Sequence, residues 1–406
     1  MEPLSNSPDA TPLQVKLAAL GHLLQDSLQA VMVALPQKAQ RTGGLSTYVG
    51  VNKVFTSRLL TALRQEDPLH VVHRMPGPEP LGRFLQSPAL QELPKPVLRA
   101  ANDCVARFQA FIEAEAGDRA ALQTMMSPWL GEARSEFDQR RRQAAFKAIS
   151  ELKGAAVDLS VATAIVHPAE DRDLLDVVWM LGLIGLRRLR PDARVKLDTR
   201  RLSHASQERH PTTLDGNPLG GPEPSGLEEF CPNGPTPLEV VGANDTVNYL
   251  LAGHQFGPRH CSDMLLAEVN RAEIKRHTPE QPNRRNYVNA VAVPPAQTLI
   301  LDLFLHRSLL DDSPPELLIY DTAGSGPVDP NTELSTYDML ESAEQLAFYD
   351  GADGIPAIAE YAQYGALMAR VLGKLDWSAD DFHLWRVRVP YPLYSSQVTI
   401  AFKPQK

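Results

Sequence analysis

Asn52, Lys53, Thr56, Ser57, Arg58 and Thr61 are the residues whose types and spacing best suit a chemical task. Short hydroxyl and amide side chains near the N-terminal end of a helix can approach base edges in the major groove of double-stranded DNA. A lysine and an arginine beside them reach phosphates or guanine. The chemistry is recognition by hydrogen bonds and charge, with no bond made or broken.

Such a set works only if two helices and a tight turn hold it outward, and the flanking residues predict that arrangement. Leu45 and Val49 lie four apart and share one face of a short first helix. Gly43 and Gly44 stand where that helix begins, which predicts a short one, since glycine costs about 1 kcal/mol per helical position. Gly50 can take the positive φ that a tight inter-helix turn needs. Val51 is an apolar plug between the helices, and Asn52 is a good N-cap for the second. Phe55, Leu59, Leu60 and Leu63 follow helical spacing and form its buried face, which leaves Lys53, Thr56, Ser57, Arg58 and Thr61 to point outward.

Residues 42–64 resemble the helix-turn-helix of bacterial transcriptional regulators, repressors of the lac and MarR types. The resemblance implies a second helix in the major groove, with Asn52, Lys53, Thr56, Ser57, Arg58 and Thr61 as the DNA-binding residues. It departs from the family at Thr56, where a β-branched aliphatic residue is usual. An amphipathic helical hairpin that only packs accounts for the same pattern.

The chain has 406 residues, enough for two or three domains, and 43% are apolar, as in ordinary globular proteins. Net charge is −9, against the habit of proteins that coat nucleic acid. Within 36–75, however, Lys38, Arg41, Lys53, Arg58, Arg64 and Arg74 face only Glu66 and Asp67. One basic module on an acidic chain fits local DNA contact. Cys104, Cys231 and Cys261 are an odd number, widely spaced, and read as reduced thiols. No run of 18 apolar residues occurs, and the first residues lack the basic and apolar regions of a secretory signal. The expected location is cytoplasmic, with no membrane partner.

Along the chain the pattern predicts an α+β fold. Its N-terminal region is an all-α helix-turn-helix and helical region, and its C-terminal domain is β-rich and sandwich-like. Residues 1–11 form a polar tail. Residues 12–90 form the helix-turn-helix domain, opened by a helix over 12–35 that carries Leu17, Leu20, Leu24 and Leu28. LHVVHRM at 69–75 can form a short strand, as in the wing of a winged helix. Pro78 and Pro80 instead favour a helix start through Leu81, Phe84 and Leu85. Residues 91–154 are a helical linker or dimerisation region, one helix with Val97, Ala101, Val105, Phe108 and Ile112 and another from Leu130 through Phe137 and Phe146 to Leu152. The Arg140-Arg141-Arg142 run sits on that last helix among acidic residues and reads as a solvated face. From 155 to 406, short apolar runs alternate with turn residues, the mark of a β-rich effector or assembly domain. A helix is expected at 355–375 and a long loop at 203–237. The whole chain also looks like a group of bacterial proteins that join such a motif to a long C-terminal region, with DPLHVVHRMPGPEPL and GLIGLRRLRP the stretches concerned. That second resemblance implies an architecture and carries no activity.

Other chemistry lacks an anchor. Cys231, His254, His260 and Cys261 match no zinc spacing, so no metal or cofactor is expected. The pairs Asp311-Asp312 and Asp380-Asp381 read as turns and caps. TAGSGP at 322–327 lacks the lysine and helix of a phosphate-binding loop. Catalytic motifs such as G-x-S-x-G or H-E-x-x-H are missing. Tyr249, Phe304, Tyr320, Trp385, Tyr391 and Tyr394 are candidates either for a pocket or for core. The expectation is a non-enzymatic, sequence-specific DNA-binding transcriptional regulator. Its partners are double-stranded DNA, a second copy in a homodimer and a small-molecule effector. Two alternatives stay open: an assembly protein whose helix-turn-helix is structural, and an enzyme with an unrecognised site in the β-rich half.

Overall fold

Leu17, Leu20, Leu24, Leu28 and Val31 recur at three- and four-residue spacing, and all are buried along one side of α1 (Leu13–Val33). This helix is the axis around which the N-terminal helices pack in a computed structural model of the chain. The structure describes residues 13–126, 129–201, 203–204, 207–208, 211–217, 227–243, 246–252, 255–257, 259–277, 283–310, 313–324 and 326–404. The expected tail at 1–11 lies outside them. The chain divides into two units, 1–138 and 139–406.

The first unit is all helix. After α1 come α2 (Thr42–Val49), α3 (Lys53–Leu63), α4 (Pro68–Arg74), α5 (Pro78–Leu85), α6 (Lys95–Glu115) and α7 (Arg119–Met126). One core joins Leu24, Leu45, Leu59, Val72, Phe84, Phe108, Leu122 and Leu130. The helices α6 and α7 therefore share the core of α1–α5, and the expected boundary near residue 90 does not divide the helices into separate cores.

Of the two alternatives after the motif, the strand at 69–75 fails, because this segment is the helix α4, and the helix start at Pro78 holds. Asp67 caps it, its carboxylate accepting from Leu69 N at 2.8 Å, and Pro68 supplies a helical φ in the first turn. Leu69, Val71 and Val72 are buried, so β-branched residues serve core packing here rather than a sheet. At the other end Arg119 Nη2 lies within hydrogen-bond reach of the carbonyls of Val72, His73 and Met75. Burial, and then the charge of Arg58, hold the Arg119 pKa down to about 10.

The division of the chain falls inside α8 (Gly131–Lys153), which ends at Gly154. From there the second unit runs β1 (Ala155–Pro168), β2 (Leu174–Arg188), β3 (Lys196–Arg201), β4 (Ser203–His204), β5 (Gln207–Glu208), β6 (Leu238–Ala243), β7 (Thr246–Leu251), β8 (Cys261–Lys275), β9 (Asn286–Val291), β10 (Ala296–His306), β11 (Glu316–Asp321), β12 (Leu346–Asp350), α9 (Tyr364–Lys374), β13 (Phe382–Pro390) and β14 (Ser396–Phe402). A six-stranded sheet of order β12-β13-β10-β1-β2-β8 forms its centre, with β1 and β10 parallel and side by side. Both are buried on both faces, which explains their nearly continuous apolar sequences.

Alternation along β10 sends its side chains to two different layers. Ile300 and Phe304 join Leu367, Met368 and Val371 of α9. Leu299, Leu301, Leu303 and Leu305 join Val288, Val398 and Ile400 of the three-stranded sheet β11-β14-β9. The α+β class thus holds, with sheet-on-sheet packing on one face and a helix on the other. A further sheet, β3-β7-β6, packs Leu197, Leu238 and Leu251 against Val157, Leu186 and Met264 of the large sheet. The expected loop at 203–237 holds, among its described residues, the β4–β5 pair and a bridge from Thr212 to Val269. The expected helix at 355–375 begins only at Tyr364, because Ile358 and Tyr361 form a bridge before it.

Candidate nucleic-acid interface

The turn between α2 and α3 is built from its own residues. Gly50 has φ 75° and ψ 28°, the left-handed conformation that a residue with a Cβ resists. Ser46 ties both sides of it. Its carbonyl accepts from Gly50 N at 3.0 Å and Val51 N at 3.2 Å, and its hydroxyl donates to Val51 O at 2.6 Å. Asn52 then opens α3, its side chain accepting from Val54 N at 2.7 Å. Gly44, a costly residue inside a helix, has a packing reason: a Cβ there would stand 1.9 Å from Lys38 O.

Around α3, Asn52, Lys53, Ser57 and Arg58 are exposed and Thr61 is half-buried. The oxygen of Asn52 is committed to the cap, so its outward chemistry is the amide nitrogen. Lys53 and Arg58 take part in no ion pair among the described residues. Lys38, Arg41 and Arg64 are exposed as well, and from 27 to 65 the chain carries no Asp or Glu. The surface of α2 and α3 is therefore cationic on an acidic chain.

Thr56 corrects the expectation, because it is fully buried and cannot reach a base. Its hydroxyl lies 3.0 Å from Lys53 O and 3.2 Å from Thr42 O, where it fastens the start of α3 to the start of α2. Thr56, Leu59, Leu60 and Leu63 form the i, i+3, i+4, i+7 stripe. Phe55 moves to the edge of that stripe, half-buried, with its ring 5.4 Å from Phe84. Val54, which hydropathy spacing did not single out, is 65% exposed on the outward side. Its one sequence signal is that it falls outside the buried stripe.

The second unit holds a polar cluster that sequence reading missed. Asp302 and Arg386 are directly paired across β10 and β13, both buried. Arg386 donates from Nε to Oδ1 at 2.8 Å and from Nη2 to Oδ2 at 2.6 Å, while Tyr364 of α9 donates to Oδ2. Thr163 lies 3.0 Å from the Tyr364 hydroxyl. Burial and the Asp302 charge hold Tyr364 protonated far above the ordinary tyrosine range. Burial opposes the Arg386 charge, but Asp302 more than offsets it. Both carboxylate oxygens are occupied, so the cluster fastens α9 to the sheet.

The remaining candidates do not converge. Among the described residues no three His, Cys, Asp or Glu side chains are grouped as metal ligands, and His254 lies outside them. Burial, then Asp263 and Glu228, push the Cys231 thiol up to about 12. Asp380 and Asp381 form a single 3₁₀ turn capped by Ser378, while Asp311 and Asp312 are outside the described residues. Phe304, Trp385 and Tyr320 sit in three separate apolar clusters. Among the described residues no helix is long and apolar enough to cross a membrane. No protein-family model, curated protein or solved structure matches the chain.

Proposed function

We propose that the chain is a sequence-specific DNA-binding transcriptional regulator. In this reading α3 enters the major groove, and the 139–406 unit senses a ligand or holds an oligomer. The observation that carries it is the outward set Lys53, Ser57 and Arg58, two cations with no ion-pair partner among the described residues and a hydroxyl, on a helix started by an N-cap after a left-handed turn. Arg58 and Lys53 are assigned to phosphate or guanine, Ser57 and Thr61 to base edges or backbone. Asn52 keeps its place in the DNA-facing set through its amide nitrogen, and Thr56 leaves it.

The test is binding of the full chain to DNA, first by a genome-wide map of the tagged protein and then by titration at several salt concentrations. Lys53→Ala with Arg58→Ala is expected to weaken binding and to lower the salt slope by about one per lost phosphate contact. Equal binding by a folded double variant refutes the assignment. A protein partner is the second reading, favoured by the exposed Val54. It predicts that the full chain enriches no DNA.

A further inference from the structure

An exposed β-branched residue in the first turn of a helix contributes nothing to the core and little to helix propensity. Val54 is such a residue, 65% exposed, among the described side chains that flank it outward: Lys53, Ser57 and Arg58. It lies in the same row as Arg58, four residues on. Packing supplies no reason for it, because the buried stripe of α3 runs through Thr56, Leu59, Leu60 and Leu63. Its backbone amide is already committed to the Asn52 cap, which fixes its position at the leading end of the helix.

The surroundings state what kind of surface would cover it. Lys38, Arg41, Lys53, Arg58 and Arg64 are exposed, with no acidic residue in the same stretch of chain. The complement of a lone apolar group within a cationic field is a lone apolar group within an anionic one. A protein hydrophobic patch offers a continuous apolar area. The DNA major groove offers isolated methyl groups, one on C5 of each thymine, between two rows of phosphates.

We propose that Val54 is a specificity-determining residue that packs its isopropyl group on a thymine C5 methyl, while Arg58 in the same row reaches the adjacent base pair or its phosphate. This rests on the DNA-binding reading above and adds to it the base class recognised. Val54 discriminates by contact area rather than by hydrogen bonds, so the methyl group itself is the ligand.

Deoxyuridine differs from thymidine only by that methyl group, which makes the test direct. The full chain selects sites from a random duplex library, and each thymine of the recovered site is then replaced in turn by deoxyuridine. One thymine, with its symmetry mate in a two-fold site, is expected to lower affinity about fourfold when replaced, the worth of one buried methyl. Val54→Ala, on an exposed helical position that tolerates it, is expected to bring the thymine-to-uracil ratio at that position close to one. It should leave the salt slope unchanged, because no phosphate contact is removed. A site recovered but insensitive to uracil at every thymine overturns the proposal and leaves the DNA-binding reading standing. So does a Val54→Ala protein that keeps the fourfold preference. If the wild-type chain enriches no DNA, the underlying reading fails and this proposal falls with it, and an apolar protein contact becomes the account of Val54.

Discussion

Thr56 and Gly50 show how much one residue's environment decides. The Thr56 side chain has the β-branched shape of the aliphatic residue usual at this place, and its hydroxyl finds two carbonyls inside the turn. Thr56→Val removes those hydrogen bonds and is therefore expected to cost about 0.5–1.5 kcal/mol of stability while leaving DNA affinity intact. A base-reading Thr56 would lose affinity instead, which a titration against a selected site distinguishes. At Gly50 an added Cβ meets no atom within 4 Å. Gly50→Val therefore costs backbone strain of about 1–2 kcal/mol, and its Cβ adds no clash. Limited proteolysis should show earlier cleavage within the first unit, before about residue 138, and a surviving C-terminal fragment, with DNA binding weakened. Wild-type resistance and activity in this variant would remove the turn from the functional argument.

Among the elements, α4 depends on a residue far along the chain. Arg119 supplies the donor for three carbonyls at its C-terminal end and lies 5.0 Å over the Phe108 ring. Arg119→Met keeps some apolar volume and removes the donors, and should cost about 2–4 kcal/mol in chemical denaturation. Hydrogen exchange should quicken in α4 first; an unchanged α4 would show that the cap is not what holds it. In the second unit the element-scale lever is a pair of partly buried histidines. Burial, then His167, lowers the pKa of His306 below the ordinary 6.5, while burial and Arg307 lower that of His383. Folding thus favours the neutral forms. Their contribution is full above about pH 6.5 and is lost as pH falls below it, levelling beneath the lowered folded values. Urea titrations followed by tryptophan fluorescence at pH 7.5 and 5.5 should show lower stability at 5.5, and His306→Gln should shrink the difference. Trp377, stacked on His167 with centroids 4.5 Å apart, is a nearby reporter.

At the scale of the molecule, one recognition helix contacts only a few base pairs, and two-fold pairing is the usual route to adequate specificity. A homodimer is accordingly proposed, and light scattering at micromolar concentration, with and without DNA, tests it. A monomer mass in both states would contradict it. Within the expected dimerisation region, the described apolar residues of 130–153 have different surroundings. Leu130 belongs to the core of the first unit, Phe146 is covered by Tyr391 at 5.6 Å, and Leu152 is 76% exposed at the far end. Arg142, read from the sequence as part of a solvated face, instead pairs with Glu344 at 2.5 Å and is only 18% exposed, so that reading fails for this residue.

The amino-acid sequence by itself determined the features set within a few residues. The spacing of Leu17 to Val31, the Ser46–Gly50–Asn52 turn, the helix start at Pro78 and the apolar runs of β1 and β10 are all local patterns, because backbone sterics and hydrogen bonds act over one or two turns. Where two local patterns competed, tertiary packing chose. The segment 69–75 has strand composition, yet it buries its valines against the helical core and is capped from residue 119. Thr56 has the polarity of a surface residue, yet its angular position is that of the core. The long-range pairings were beyond the sequence altogether: β1 beside β10 in parallel, Asp302 opposite Arg386, and Tyr364 closing over both. A carboxylate, a guanidinium and a phenol far apart in the chain carry no mark of one another. Only the register of two strands under a helix brings them within hydrogen-bond distance, and burial then makes each necessary to the others.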